Sequence, residues 1–564
     1  MYAPTQHLRR NASFAVGLFA SALACACAGS TDPERAGEQT GTDAVSDVGS
    51  QDAAADEQRA DVPSDGDAVD DVRPTDANDE GGDARAPDLG TPDVRIDANL
   101  DAATDADLTV VVLDGPLDGT RAAADRVTFT VSPAASAQCS LDDGPWRSCE
   151  SPALIAPTTV GPHTVRVRAI APDGAAGAPA GWSWTSATVF DGDADELRAV
   201  PAVPQPIDPA REPGWTGMFR MNCRVAKTSY DDPLRAFGET GVAHLSQFYG
   251  HLAVGADTDW PTLFDLPGSS CQGGSLHGSV YAVPAMLAPR FTIPPGCDDS
   301  DPVDSDCTND TFVRERVFVD GVPAWDVVTP VVGNDDDGAH EMLYYSAEVA
   351  DPTTAQPPPP GLRMVAGDAD VVDPGRATSA TVARFHCRSW GSDNVVDGTE
   401  RVSSTIPACS VRDRVLMDVF FPGCWDGENL TSGDLRSHVA AAVDRGEGSE
   451  CPASHPFPIV RPSLHLQYPI RHSQLDPDTG TTAGWRLASD RYTVDSSSPG
   501  GLSAHAVWLD GWHPEVARAF FDHVVAAGRD AHNGNLGNGY ALSDVTSGST
   551  VLPPIVNEGR GEGR

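Results

Sequence analysis

Residues 504–528 read AHAVWLDGWHPEVARAFFDHVVAAG, and the reading of this stretch sets the fold class. Its first part, AHAVWLDGW, is a short strand punctuated by glycine. Its second part is a helix. Pro514 sits in the first turn, where its missing N–H costs nothing, and Val516, Phe520, Val524 and Ala527 fall on one stripe. Gly528 follows as the C-cap. VRERVFVDG at 313–321 and LHLQYPI at 464–470 repeat the strand signature, and AQPPPPG at 355–361 excludes both helix and central strand. Residues 214–545 therefore read as a β-dominated α+β domain with its one convincing helix near the end.

Strand signals begin earlier, near Leu108. VTFTV and TVRVRAI alternate, with DDG and PDG as turns. The order of Cys139, Asp143, Gly144, Trp146, Cys149, Gly161, His163, Val167 and Arg168 resembles that of bacterial immunoglobulin-like repeats. That resemblance implies a small β-sandwich over 108–190, with Cys139 and Cys149 closing as a disulfide. His163 is expected to be a turn residue, and the module a spacer or adhesion unit. A Pro-rich linker, 191–213, leads to the main domain. The expected fold class is thus mainly β: a small immunoglobulin-like β-sandwich, then a larger β-dominated, disulfide-stabilised domain with a C-terminal helix.

The chain has 564 residues and a formal net charge of −44. That length suits about two folded units plus unstructured sequence. The charge argues against nucleic acid and anionic membrane surfaces as partners, because like charges repel. Residues 1–27 read as a lipoprotein-type signal. Arg9 and Arg10 precede an apolar run too short to span a bilayer, and small residues lead to Cys25 and Cys27, one of which would be lipidated. An ordinary cleaved signal is the alternative. Residues 28–107 carry many acids and no aromatic residue, the composition of a disordered acidic tether, and 546–564 read as a disordered tail. The implied place is the surface of a Gram-negative outer membrane, reached through the lipid anchor only. Of 12 cysteines, setting aside Cys25 and Cys27 leaves ten, none in a CxxC pair, and export favours disulfides for them.

A set of dispersed, ordered motifs runs through the main domain. FRMNC at 219–223 precedes DDPLRAFGETGVAHLSQFYG at 231–250 and SVYAVPAML at 279–287. GLRMVAGD at 361–368, FFPGCWDGENLTSGDLRSHVA at 420–440, CPASHP at 451–456, GWRLASD at 484–490 and SPGGLSAHAVWLDGW at 498–512 follow. Together they resemble the secreted family known as domain of unknown function nineteen ninety-six, which is common in fungi and also occurs in bacteria. The family's early motif is His-x-His before aromatic-aromatic-Gly. Here it runs from His244 to Gly250 with Ser246 in place of the second histidine, which puts a two-histidine or metal mechanism in doubt.

The polar positions within these motifs are the candidate site. Catalytic candidates are His244, His438, His505 and Asp426, because imidazole and carboxylate pairs transfer protons near neutral pH. Substrate-binding candidates are Arg363, Asp368, Trp425, Asn429 and His455. Tryptophan offers a flat face to a sugar ring, and arginine and asparagine hydrogen-bond its hydroxyls or carboxylates. Each residue also has a structural reading. Asp426 and Asn429 could cap a turn, Trp425 could pack on a disulfide, and His455 could be a satisfied loop histidine. FFPGC reads as a strand ending in a disulfide anchor, Cys424 to Cys451. Cys223–Cys271, Cys297–Cys307 and Cys387–Cys409 are suggested likewise, although spacing alone leaves connectivity open. Asp298, Asp299, Asp301, Asp304 and Asp306 form an acidic loop with oxygen ligands of the kind calcium takes. Its spacing is not that of an EF-hand, and no cofactor or metal is expected.

GxSxG, HExxH, P-loop and dinucleotide fingerprints are all missing from the sequence. The expectation is a cell-surface protein that engages extracellular polysaccharide, with hydrolytic or lytic cleavage left open. A non-catalytic carbohydrate-binding or adhesion protein is the first alternative, and a structural surface protein the second.

Overall fold

The computed structural model of the protein describes residues 108–544 apart from 133–135, 192–193, 201–216, 266–267, 309–310, 333–340, 390–401 and 446–447, together with 555–556. The expected signal with Cys25 and Cys27, the tether, and most of the tail lie outside the described residues. The described chain is mainly β.

The first module is a two-sheet sandwich. Thr109–Asp114, Asp125–Ser132 and Ala153–Ile155 form a three-stranded sheet, and Arg147–Cys149, Ser136–Leu141, Gly161–Ile170 and Ala180–Ser186 a four-stranded one. Strand alternation selects the core: Val165, Val167 and Ala169 are buried while Arg166 points outward. Val127, Phe129, Ile155 and Trp184 close the interior. The Cys139–Cys149 disulfide ties adjacent strands. His163, expected in a turn, lies instead within a strand and is buried. Its ring nitrogens lie 2.8 Å from the Asp142 carboxylate and 2.8 Å from the Thr159 carbonyl oxygen, which satisfies both.

Three sheets of five or more strands lie among the described residues of the main domain, and two of them share its central core. The first runs in the order Lys227–Ser229, Ser246–Gly250, Val280–Pro284, His505–Leu509, Arg363–Gly367, all antiparallel. The second runs Ala383–Ser389, Asp413–Phe420, Arg461–Pro469, Leu343–Ser346, Met218–Met221, Asp530–Ala531, with only the last pairing parallel. Tyr281, Val283, Met364, Ala506 and Trp508 from one face of the first sheet share a core with Phe385, Val415, Met417, Leu464 and Tyr468 of the second. The opposite face of the first sheet carries Phe248, Ala282, Val365 and Val507, covered by Leu234, Val254 and Leu435 from loops and by Leu263 from the short 3-10 helix Pro261–Phe264. This sheet is therefore buried on both faces, which explains its nearly continuous apolar strands.

The expected helix is shorter as an α-helix than its stripe implied. Pro514–Phe520 is α-helical, and Phe521–Val525 continues as a wider π turn, with Ala526 N–H bonding the Phe521 carbonyl at 2.8 Å. Gly528 closes it at φ +63°. Two expected unstructured segments are partly ordered. Leu197–Ala199, inside the expected linker, pairs with Tyr540–Leu542, and Ile555–Val556, inside the expected tail, pairs with Val322–Val328. Both segments contribute main-chain hydrogen bonds to a strand edge, which composition does not report.

Besides Cys139–Cys149, disulfides join Cys223 to Cys271, Cys297 to Cys307, Cys387 to Cys409 and Cys424 to Cys451. The sandwich is docked on the main domain through the start of the helix. Glu515 accepts hydrogen bonds from the Val189 N–H at 2.7 Å and from the Thr188 hydroxyl. His513 Nε2 donates to the Arg121 carbonyl at 2.8 Å, and Arg126 pairs with Asp265 at 2.7 Å.

Candidate functional site

His244 and His505 are 261 positions apart in the chain and meet through sheet register. Ser246–Gly250 and His505–Leu509 both pair with Val280–Pro284, and Phe248, Ala282, Val507 and Val365 share one face. Side chains two residues apart on a strand point the same way, so Ser246 and His505 project from that face at one end of the sheet. His244 precedes Ser246 by two residues. Its Nε2 lies 3.0 Å from His505 Nε2, with ring centroids 4.9 Å apart and planes at 77°. Gly367 opposes His505 across the sheet at φ +80°, and a Cβ there would stand 2.2 Å from the Ala504 carbonyl oxygen. Only glycine allows that approach.

The hydrogen bonds assign the tautomers. The Ser503 carbonyl can only accept, so the His505 Nδ1–H donates to it at 2.8 Å. His505 Nε2 then accepts from the His244 Nε2–H, and His244 Nδ1 accepts from the Ser246 hydroxyl at 3.2 Å. A directional chain Ser246→His244→His505→Ser503 results.

Burial first, and neighbouring charge second, keep this chain neutral. Burial pushes His244 down to about 4, and the guanidinium groups of Arg235 and Arg491 act in the same direction. Burial, then His244, then Arg235 hold His505 well below the ordinary imidazole range. Arg235 and Arg491 share Asp370, at 3.3 and 3.5 Å, and Arg436 donates to the Gly367 carbonyl at 2.6 Å. Arg235, Arg491 and Arg436 thus stand together at this sheet end, with Asp370 between the first two and Asp368 and Asp434 in the adjoining turns. His505 is 1% exposed while His244 is partly exposed, so His244 is the ring that a ligand meets.

The third imidazole is elsewhere. His438 is buried, with Nδ1 2.8 Å from the Ser432 hydroxyl and Nε2 donating to the Arg363 carbonyl at 2.7 Å. Arg363 is four strand residues from Gly367, the partner of His505, which is about 13 Å at strand rise. His438 is thus a positioned loop residue, and the three imidazoles do not share one hollow. Asp426 likewise caps its own turn, accepting from the N–H groups of Glu428 and Asn429 and from the Asn429 side chain. Trp425, expected to show an exposed face, is 9% exposed; its indole N–H donates to the Asn429 carbonyl and its ring packs near Phe457. His455 bridges Ser454 and the Ser437 carbonyl, and Asp368 caps Asp370. Arg363 begins the strand beside this loop. The segment 424–438 is therefore a self-capped loop pinned by Cys424–Cys451, because short polar side chains found backbone partners within their own turn.

The acidic loop behaves the same way. Asp298, Asp301 and Asp304 accept backbone N–H groups within the loop, and Asp299 accepts from Ser473. Among the described residues, groups of three or more ligand-type side chains are Cys223–Cys271–His277 and Cys297–Asp304–Cys307. Both contain a disulfide, whose sulfurs are not thiolates. The His244–His505 pair offers two nitrogens.

A second polar cluster escaped the sequence reading. Asp418, opposite both Arg384 and His465 in the second sheet, is 3% exposed. It accepts from Arg384 at 2.9 Å and meets His465 Nδ1 at 3.0 Å, while His465 Nε2 lies 2.9 Å from the Ser463 hydroxyl. Burial alone would raise this carboxyl; His465, His386 and Arg384 together outweigh burial and hold it at about 2. The available signal was polar residues at alternate positions in S-L-H-L-Q, 463–467.

The fold and site define a disulfide-stapled, mainly β protein with a neutral histidine pair at a sheet end. The model of Domain of unknown function (DUF1996) matches residues 232–512, and the chain belongs to this family through that region. None of the curated proteins matches the chain. Among solved structures, the chain is similar to one of carbohydrate-binding modules from the β-sandwich superfamily. Identity is 8%, coverage is 72% of this chain and 96% of that one, and the TM-score is 0.14, too low to support a functional comparison.

Proposed function

We propose that the main domain engages an acidic extracellular polysaccharide at the His244–His505 pair, with His244 as proton acceptor. The observation that carries this reading is the 3.0 Å contact between two neutral imidazoles beneath a rim of arginines. A uronate ring suits both features. Arg235 and Arg491 can hold its carboxylate, guanidinium matching carboxylate geometry. The carbon beside that carboxylate then carries an acidic proton, and a neutral imidazole is the group to remove it. In such an elimination the Ser246 hydroxyl turns to the His244 carbonyl, the C–H proton passes to the freed His244 Nδ1, a carbon–carbon double bond forms, and the bond to the glycosidic oxygen breaks as that oxygen takes a proton from water. The non-catalytic alternative, binding alone, is favoured by one observation: Ser246 is 2% exposed and already bonded to His244.

The same proposal places the protein outside the cytoplasm, held at the cell surface by a lipidated Cys25 or Cys27. The arginine-led apolar segment at 9–27 and the five disulfides support it, since disulfides persist in oxidising compartments.

The test is a panel of uronic-acid polysaccharides and neutral glucans, scored for binding and for the ultraviolet absorbance of an unsaturated product. Binding to acidic polymers with product formation, both lost in His244→Ala, is expected. Binding without product establishes the adhesion reading. Equal affinity for neutral and acidic polymers overturns the proposal.

A further inference from the structure

A cavity of about 230 Å³ lies where the sandwich meets the main domain. Its lining includes the prolines at 357–360, Trp425 and Trp512, with the exposed residues Thr158 of the sandwich and Arg518 of the helix. Asp510 also lines it and is only 2% exposed. Backbone N–H groups of Gly361 and Trp512 hold this carboxyl, yet its Oδ1 meets no hydrogen-bond partner. Among the residues that line the cavity, Asp510 is the one with such an unpaired buried atom, and an unpaired polar atom in a cavity wall marks a place for a polar ligand.

We propose that this cavity binds one uncharged sugar ring, with the Asp510 carboxyl bonding its hydroxyls and the indole and proline walls covering its C–H faces. Size, charge and shape each narrow the choice. Pockets for drug-sized ligands measure roughly 300–1,000 Å³, so this one suits a single ring. An ammonium ligand would meet the Arg518 guanidinium in the same lining. An anion would find Arg518 already beside Asp522, at 3.7 Å. A hydroxylated ring meets neither objection. Burial raises the Asp510 carboxyl well above the ordinary range, so that it stays neutral and offers one donor and one acceptor, as sugar hydroxyls require. Pyranose C–H groups pack on flat apolar faces of the kind that indole and pyrrolidine rings supply.

This site is distinct from the histidine pair. Asp510 lies five residues beyond His505, just past the other end of that strand, about 17 Å away at strand rise. Here the sandwich contributes to the cavity wall, through Thr158.

Full-length protein titrated with methyl glycosides of glucose, mannose and galactose should give a saturable change in tryptophan fluorescence, with glucuronate and tetramethylammonium much weaker. Thr158→Trp, which plugs the cavity from an exposed position, should weaken binding at least about tenfold at unchanged melting temperature. Asp510→Leu should do the same, whereas Asp510→Asn, which keeps a donor and an acceptor in place, should stay within about threefold. No saturable response to any neutral glycoside, preference for a charged ligand, or full binding by Thr158→Trp overturns the proposal. Neutral monosaccharides probe this cavity, and acidic polymers probe the histidine pair, so failure of either reading leaves the other standing.

Discussion

A buried imidazole resists protonation, and for His244 and His505 the consequence is measurable. An ordinary histidine binds its proton near 6.5, whereas His244 in the fold does so only near 4, with His505 also shifted down. Between those values the unfolded chain binds more protons than the folded one. Stability contributed by the neutral pair is therefore fully present above about 6.5 and declines as pH falls from 6.5 toward 4. Replacing His505 by Gln should flatten the melting temperature across that window relative to the wild type; an unchanged slope would count against neutral imidazoles. His438 should behave differently. It is buried with both nitrogens bonded, so His438→Ala should cost about 1–3 kcal/mol by denaturant titration while acidic-glycan binding persists. His244→Ala should abolish acidic-glycan binding. Sequence singled out all three histidines through the family motifs, but could not sort them. A polar loop such as 424–438 looks the same whether its side chains cap their own backbone or reach a ligand, and the difference lies in distances.

At the scale of elements, alternation made the strands legible, and the apolar stripe with Pro514 and Gly528 made the helix legible. Sheet order was not legible. Ala282 pairs with Val507 and His244 meets His505 across most of the domain, and nothing local encodes such a register. The Asp418–His465 contact was hidden for the same reason, since it exists only because two strands pair in one register. The cysteine pairs were suggested from the sequence although spacing left their connectivity open, and the Cys424–Cys451 staple carries its own prediction. It closes a loop with a sequence separation of 27 around the self-capped segment. The double substitution Cys424→Ser with Cys451→Ser should lower stability by about 2–4 kcal/mol and increase amide exchange in 424–438. Undisturbed exchange there would show that the turn caps alone hold the loop.

On the scale of the whole molecule, the sequence suggested a spacer followed by a working domain, whereas the structure docks the two. Glu515 is the reason the distinction was missed. In sequence it reads as an acid in the first turn of a helix, favourable there through the helix dipole alone. In the fold it also binds Thr188 and Val189 of the sandwich side. Calorimetry should therefore show one coupled transition for the wild type. Glu515→Ala should leave the Val189 N–H unpaired, weaken the docking by about 1–3 kcal/mol and separate the melting of the sandwich from that of the main domain. A single transition in that variant would mean that the remaining contacts suffice.

The clasp at the start of the helix also has a mechanical meaning. Were upstream sequence held fast and the main domain pulled, tension would enter the described fold at Leu108. The Glu515 and His513 contacts to residues 121 and 188–189 stand in parallel with the covalent connection that follows residue 190. Load is shared between them, so the sandwich acts as a stiff mount, and the connecting chain is spared until the clasp lets go.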